Sequence, residues 1–397
     1  MTKSSVVPES LGDGFLDLEV LSQPPRASIE DLGGSFWNYE GRGKDQVVYV
    51  MDSGCDMNHP EVRNVKFRKD WIFGGTILQG DEKVDALDYI HYKHGTPVTG
   101  KIAGERTGVA QEAEIVVVKM TDGRGSINHD TIINSFVKVY DDILKNPGRN
   151  CIINFSSGWY HPNDRRYAWN DKAAALHEFH IAYNRLAMDV LKKLLDLPNV
   201  VLVAPVDNDT PGAPIYVYPA RFGNLDEFEN KIVVVGGYDP RTGYVSNPWD
   251  DYVRVAAFYI DGGLAVEYPA YPPKPTERQK RLQLESADGS SFVTGVIATI
   301  LGTGISMADA IPYLYSQAYP RVEGGPNVVY NGIQIGQWTQ NLWPAWYSPS
   351  PRVTNTPVKT IFRNGVALKT VYSTILGPSP RPVAKRTADV GGSSELP

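Results

Sequence analysis

The sequence predicts an α/β protein, a doubly wound and mostly parallel sheet flanked by helices. Three observations carry this. Short apolar runs rich in β-branched residues recur through the middle of the chain, they are continuous rather than alternating, and stretches of helical periodicity separate them. Continuous apolarity marks strands covered on both faces, as in a parallel sheet. Strand–helix alternation implies right-handed βαβ crossovers.

In chain order, residues 1 to about 14 are polar and unpatterned and read as an N-terminal extension. Met1 to Pro8 contains no apolar h-region, so no signal peptide is expected there; either the protein stays inside the cell or a leader has been removed. Strands are expected at Val47–Met51, Ile115–Lys119, Cys151–Phe155, Val200–Ala204 and Lys231–Val235. Helices are expected from Asp130 to Leu144 and from Lys172 to Leu197, where Leu176, Phe179, Tyr183, Leu186, Leu191 and Leu194 fall near helical spacing. No internal repeat is visible. Residues 15–347 read as one domain carrying an insertion within 159–199. Residues 348–397 read as a Pro/Ser-rich C-terminal extension, partly disordered, interrupted by a strand-like patch from Val366 to Leu376.

Composition narrows the function. Hydrophobic residues at 42% and charged residues at 21% lie near the globular norm, which excludes wholesale disorder. Lys and Arg number 39 against 45 Asp and Glu, a net charge of −6, so a nucleic-acid partner is not expected. No apolar run reaches the length of about 18 residues that a membrane helix needs, so no membrane partner is expected either. Two cysteines, Cys55 and Cys151, permit one disulfide at most; Cys55 reads as a buried, unbridged thiol.

Three segments carry candidate chemistry. The first is Val48 to Gly54, in which Asp52 follows an apolar strand and therefore stands at the carboxyl edge of the sheet, where open α/β folds place their sites. Such an Asp also serves as an ordinary turn or cap residue. The second, His94-Gly-Thr-Pro-Val-Thr-Gly100, puts an imidazole at a helix start; with seven histidines in the chain, a structural His is the plain alternative. The third, Asp288-Gly-Ser-Ser291, runs into an apolar helix and aims a hydroxyl and backbone N–H groups at one point, or simply caps the helix.

Together the three change meaning, because an Asp, a His and a Ser on separate loop junctions make a base-orienter, a base and a nucleophile. The segments resemble the motifs of the subtilisin-like serine proteases, in which the triad runs Asp, His, Ser along the chain. Gly108 to Ala113 before Ile115–Met120 is similar to the family's entry into its substrate-binding strand, and Ile152 to Gly158 to the next strand and the loop lining the primary specificity pocket. Val201 to Asn208 falls where the family carries its oxyanion-hole asparagine. Tyr319-Pro-Arg, Gly324-Gly-Pro and Tyr330-Asn-Gly332 resemble the C-terminal end of fungal members, so the likeness runs from about Leu16 to Trp338.

By that resemblance Asp52, His94 and Ser291 form the triad, and Asn208 is the oxyanion-hole donor alongside the Ser291 backbone N–H. Ser156, Ser157, Gly158 and Asp207 would bind substrate. The resemblance implies a serine endopeptidase acting as a monomer on polypeptides, with no required cofactor and a secreted or vacuolar location. Structural calcium occurs in the family, but Asp56, Asp81 and Asp85 form no EF-hand-like loop. The sequons at Asn154 and Asn208 lie inside the expected pocket strand and oxyanion loop and read as unused.

The motifs also depart from the family pattern. Pro97 stands where a second His is usual, Gly295 replaces a proline and would loosen the helix start, Asp207 replaces a glycine, and Trp159 replaces a small residue and would narrow the pocket. The alternative reading is therefore a catalytically weakened relative that binds peptides or performs specialised acyl transfer or processing.

Overall fold

Strands that are apolar on both faces need a helical layer on each, and the chain supplies two. The computed structural model describes residues 6–10, 16–75, 86, 94–122, 126–160, 171–206, 214–239, 244–245, 252–258, 289–333, 357–363 and 366–372. The chain divides into two units, Met1–Tyr347 and Ser348–Pro397.

The first unit begins with β1 (Val6–Ser10), α1 (Leu16–Ser22), β2 (Ser35–Tyr39), β3 (Val47–Asp52), β4 (Lys66–Phe67), β5 (Ile72–Phe73) and α2 (Gly95–Ala103). It continues through β6 (Glu114–Lys119), α3 (His129–Lys145), β7 (Cys151–Asn154), β8 (Trp159–Tyr160), α4 (Asp171–Leu195), β9 (Val200–Pro205) and β10 (Val217–Tyr218). Then follow β11 (Ile232–Asp239), β12 (Tyr244–Val245), β13 (Val255–Phe258), α5 (Gly289–Gly302), α6 (Met307–Gln317), β14 (Tyr319–Pro320) and β15 (Asn327–Val328). In the second unit β16 (Pro357–Arg363) pairs antiparallel with β17 (Val366–Tyr372).

The main sheet has the order β14-β15-β13-β11-β9-β7-β3-β6-β4 among the described residues, and the run from β13 to β4 is parallel. The chain steps from β3 to β6 on one side, then returns past β3 to β7 and moves outward the other way. The direction of winding therefore reverses at β3 and β7. In open α/β sheets the carboxyl ends of strands beside such a reversal form a crevice where ligands bind.

Side chains alternate across the sheet into two cores. Val48, Val50, Ile115, Val117, Ile152, Val201 and Val203 join one core with residues of α1, α2, α5 and α6. Val47, Tyr49, Met51, Val116, Val118, Ile153 and Leu202 join the other with residues of α3 and α4. Cys55 lies in the first and Cys151 in the second; both are buried thiols outside any disulfide. Burial pushes the Cys151 thiol up to about 12, which keeps it protonated and inert.

Element ends differ from the sequence expectation for local reasons. The helix expected from Asp130 is α3, and it starts at His129 because Asn128 forms a capping box with Thr131. β11 runs on through Gly236 and Gly237 because β13 supplies a parallel ladder beside them. Residues 1–14, unpatterned in sequence, include β1, which pairs antiparallel with β2. No helix among the described residues is long and apolar enough to cross a membrane.

Gly295 sits inside α5, and a Cβ there would stand 2.6 Å from the Val109 Cβ. The glycine is thus the condition for close packing rather than a loosened helix start. Gly295→Ala is expected to cost about 1–3 kcal/mol by overpacking, read as a lower urea midpoint at unchanged slope.

His129 packs its ring edge-on to Tyr183 at 4.4 Å and lies 5.1 Å from the His180 ring. Its Nε2 is buried and finds no hydrogen-bond partner among the described residues. Burial, then the field of His180, holds its pKa below the ordinary value, against a weaker opposing pull from Asp130. The folded state therefore prefers the neutral ring. That contribution is full above the ordinary His pKa of about 6.5 and is lost as pH falls through the lowered folded value. Urea titrations from pH 7.5 to 5 should show stability falling in the parent protein, with a flatter profile in His129→Phe.

Candidate active site

Asp52 ends β3 beside the winding reversal, and the Met120 N–H fixes its carbonyl at 2.8 Å. Its carboxylate is 4% exposed. Oδ1 accepts from the Ser53 N–H at 2.7 Å, and the His94 Nδ1 lies 2.9 Å from Oδ2 and 3.0 Å from Oδ1. An acceptor carboxylate assigns the Nδ1 proton to the imidazole and leaves Nε2 as the basic nitrogen.

The start of α2 is stitched to the end of β3. The Ser53 hydroxyl accepts from the Gly95 N–H at 3.0 Å, and the Thr96 hydroxyl from the Asp56 N–H at 3.0 Å. A Cβ at Gly95 would overlap the Gly54 carbonyl oxygen and meet the Asp52 Cβ. Only glycine lets the helix approach closely enough for His94 to reach Asp52. Pro97 lies in the first turn, where its missing N–H has no intrahelical acceptor to lose.

Ser290 and Ser291 occupy the first turn of α5, fully buried. A polar chain lies against them. The Thr294 hydroxyl donates to Asn154 Oδ1 at 2.8 Å, and Asn154 Nδ2 donates to Ser156 Oγ at 2.9 Å. Ser156 Oγ then lies 3.0 Å from Ser290 Oγ and 3.4 Å from Ser291 Oγ. Since Ser156 accepts from Asn154, its own proton is available to the serines. The helices of His94 and Ser291 pack against each other, and both face the β3–β7 region of the sheet.

Asp207 and Asn208 lie outside the described residues, as do Asp81 and Asp85; the strand before the first pair, β9, ends at the same edge as β3 and β7. Ser157 and Gly158 are half-buried just after β7. Trp159 does not narrow a pocket. Its ring is buried between Phe155, Tyr183, Tyr218 and Phe222, and its Nε1 donates to Asn184 on α4 at 2.7 Å. Among the described residues no group of three or more His, Cys, Asp or Glu is placed to hold a metal.

Sequence reasoning missed the partner roles of Ser53, Asn154 and Thr294. A signal existed for two of them. Asn154 precedes Ser156 by the two-residue period of a strand face, and Thr294 follows Ser291 by the three-residue period of a helix face.

A family model described as the Subtilase family matches residues 43–335. The chain belongs to the subtilase family. Among curated relatives, Subtilisin-like protease 7 of Arthroderma otae is 30% identical over 152 residues, 38% of this chain and 34% of the relative. The proteins of the same name from Arthroderma gypseum and Trichophyton verrucosum are 31% and 30% identical over the same length and shares. The match thus spans about a third of the length of these curated relatives. A solved structure of a cold-adapted subtilisin-like serine proteinase matches with a TM-score of 0.52 at 18% identity, covering 81% of this chain and 98% of that one. The shared fold is the mostly parallel sheet flanked by helices.

Gly95→Ala in this subtilase should push α2 off the strand end and lengthen the Asp52–His94 bond. Proton NMR is expected to show the downfield His94 Nδ1–H resonance lost or shifted upfield, while the far-UV spectrum is unchanged.

Proposed function

We propose that this subtilase is a serine endopeptidase that cleaves polypeptides through an acyl-enzyme. The observation that carries the reading is the bidentate approach of the Asp52 carboxylate to His94 Nδ1 beside the winding reversal, next to the helix whose first turn holds Ser291.

In this reading Ser291 Oγ attacks the peptide carbonyl carbon while His94 Nε2 takes its proton. The tetrahedral intermediate then expels the amine, which receives that proton from His94. A water molecule, deprotonated in turn by His94, hydrolyses the ester and returns Ser291. Asp52 stays ionised, holding the imidazole in one tautomer and stabilising the imidazolium. The Ser291 N–H at the start of α5 and the side-chain amide of Asn208 donate to the oxyanion. Ser157 and Gly158, with Ser156 and Asp207, border the substrate. The chemistry calls for no metal or organic cofactor, and the enzyme acts as a monomer.

A fluorophosphonate probe tests the proposal. A single adduct on Ser291 is expected, absent from Ser291→Ala; folded parent protein that forms no adduct would instead favour a peptide-binding role. On a chromogenic peptide, Asp52→Asn should lower kcat by about 10⁴ with the fold intact. Asn208→Ala should lower it by about 10²–10³.

A further inference from the structure

A buried charged pair lies against the helices of the candidate site, and the proposed chemistry does not use it. Lys101, on α2, is buried, and its Nζ lies 2.6 Å from Asp17 Oδ2 on α1; each side chain is 3% exposed. The ammonium also stands 4.6 Å from the centre of the Phe292 ring, the residue after Ser291. Lys101 follows His94 by seven residues, so both lie on one face of α2, two turns apart. One buried cation therefore touches the helix of the candidate base, the helix of the candidate nucleophile and the N-terminal helix.

The N-terminal helix is itself pinned. The Asn331 N–H donates to the Leu21 carbonyl at 2.9 Å, the Arg321 guanidinium to the Val20 carbonyl at 2.8 Å, and the Tyr319 hydroxyl to the Gln23 carbonyl at 2.8 Å. Asp17 Oδ1 accepts from the Leu18 N–H at 2.9 Å, so its second oxygen is directed and its rotamer fixed. Burial pulls the Lys101 pKa down to about 8, with Asp17 and then Glu61 opposing the fall. Buried pairs of this kind seldom add stability over apolar side chains of equal volume; where they have a purpose, it is registry.

We propose that Lys101 is a positioning residue, clamped by Asp17 and seated on Phe292, which sets the register between the His94 and Ser291 helices and makes the N-terminal helix part of the reactive site. This rests on the serine-peptidase reading.

The test exchanges the pair for apolar side chains, Asp17→Leu with Lys101→Met, so that neither charge is left buried alone. Thermal unfolding should show a melting temperature equal to or above that of the parent. On a chromogenic peptide kcat should fall about 10- to 100-fold, with KM nearly unchanged and fluorophosphonate labelling slowed by a similar factor. The His94 Nδ1–H resonance should move. Phe292→Leu, which keeps the pair and removes the ring, should give a smaller loss of kcat in the same direction. A stable double variant with parental kcat and an unmoved His94 resonance would overturn the inference while leaving the peptidase reading intact. A parent protein inert to the probe would remove the peptidase reading alone; the His94 resonance of the double variant would then decide positioning by itself.

Discussion

The contact between Asp52 and His94 joins the end of a strand to the start of a helix, and the surrounding structure is arranged to allow it. A carboxylate this buried needs donors, and it receives them from the Ser53 backbone and the His94 ring. The ring arrives only because Gly95 presents no Cβ to the Gly54 carbonyl. The Ser53 hydroxyl and the Thr96 hydroxyl then hold helix and strand end together. Leaving a buried polar group without its hydrogen-bond partner costs about 1–3 kcal/mol. The neighbouring residues are therefore chosen for distance as much as for chemistry.

The sheet explains why this contact occurs where it does. β3 is central, with β6 on one side and β7 on the other, and the winding reverses there. Asp52 ends β3, Asn154 ends β7, and Ser156 follows two residues later. Helices α2 and α5 lie on the same face of the sheet and meet each other, which brings the hydroxyl chain from Thr294 to Ser156 up to Ser291. Polar groups buried in this way are linked to one another rather than left unsatisfied.

Much of this was legible in the sequence, for identifiable reasons. The five central strands announce themselves because residues on both faces must be apolar, and α3 and α4 because each buries one stripe. The chain order of Asp52, His94 and Ser291 is visible because each occupies the junction after a strand or before a helix. What stayed hidden depends on partners remote in sequence. Nothing near Lys101 indicates that Asp17, 84 residues away, will meet it. Trp159 reads as an obstruction to a pocket until α4 is seen to receive its ring. Gly295 reads as a loosened helix start until Val109 is found against it. β1 carries no pattern because its partner β2 supplies the hydrogen bonds.

The central claim is that Asp52, His94 and Ser291 act as one reacting unit. The most direct measurement is kcat/KM on one peptide ester for Asp52→Ala, His94→Ala, Ser291→Ala and the triple variant. A single unit predicts strong non-additivity, the triple variant being no slower than Ser291→Ala alone. Losses that multiply across the three positions would contradict the account.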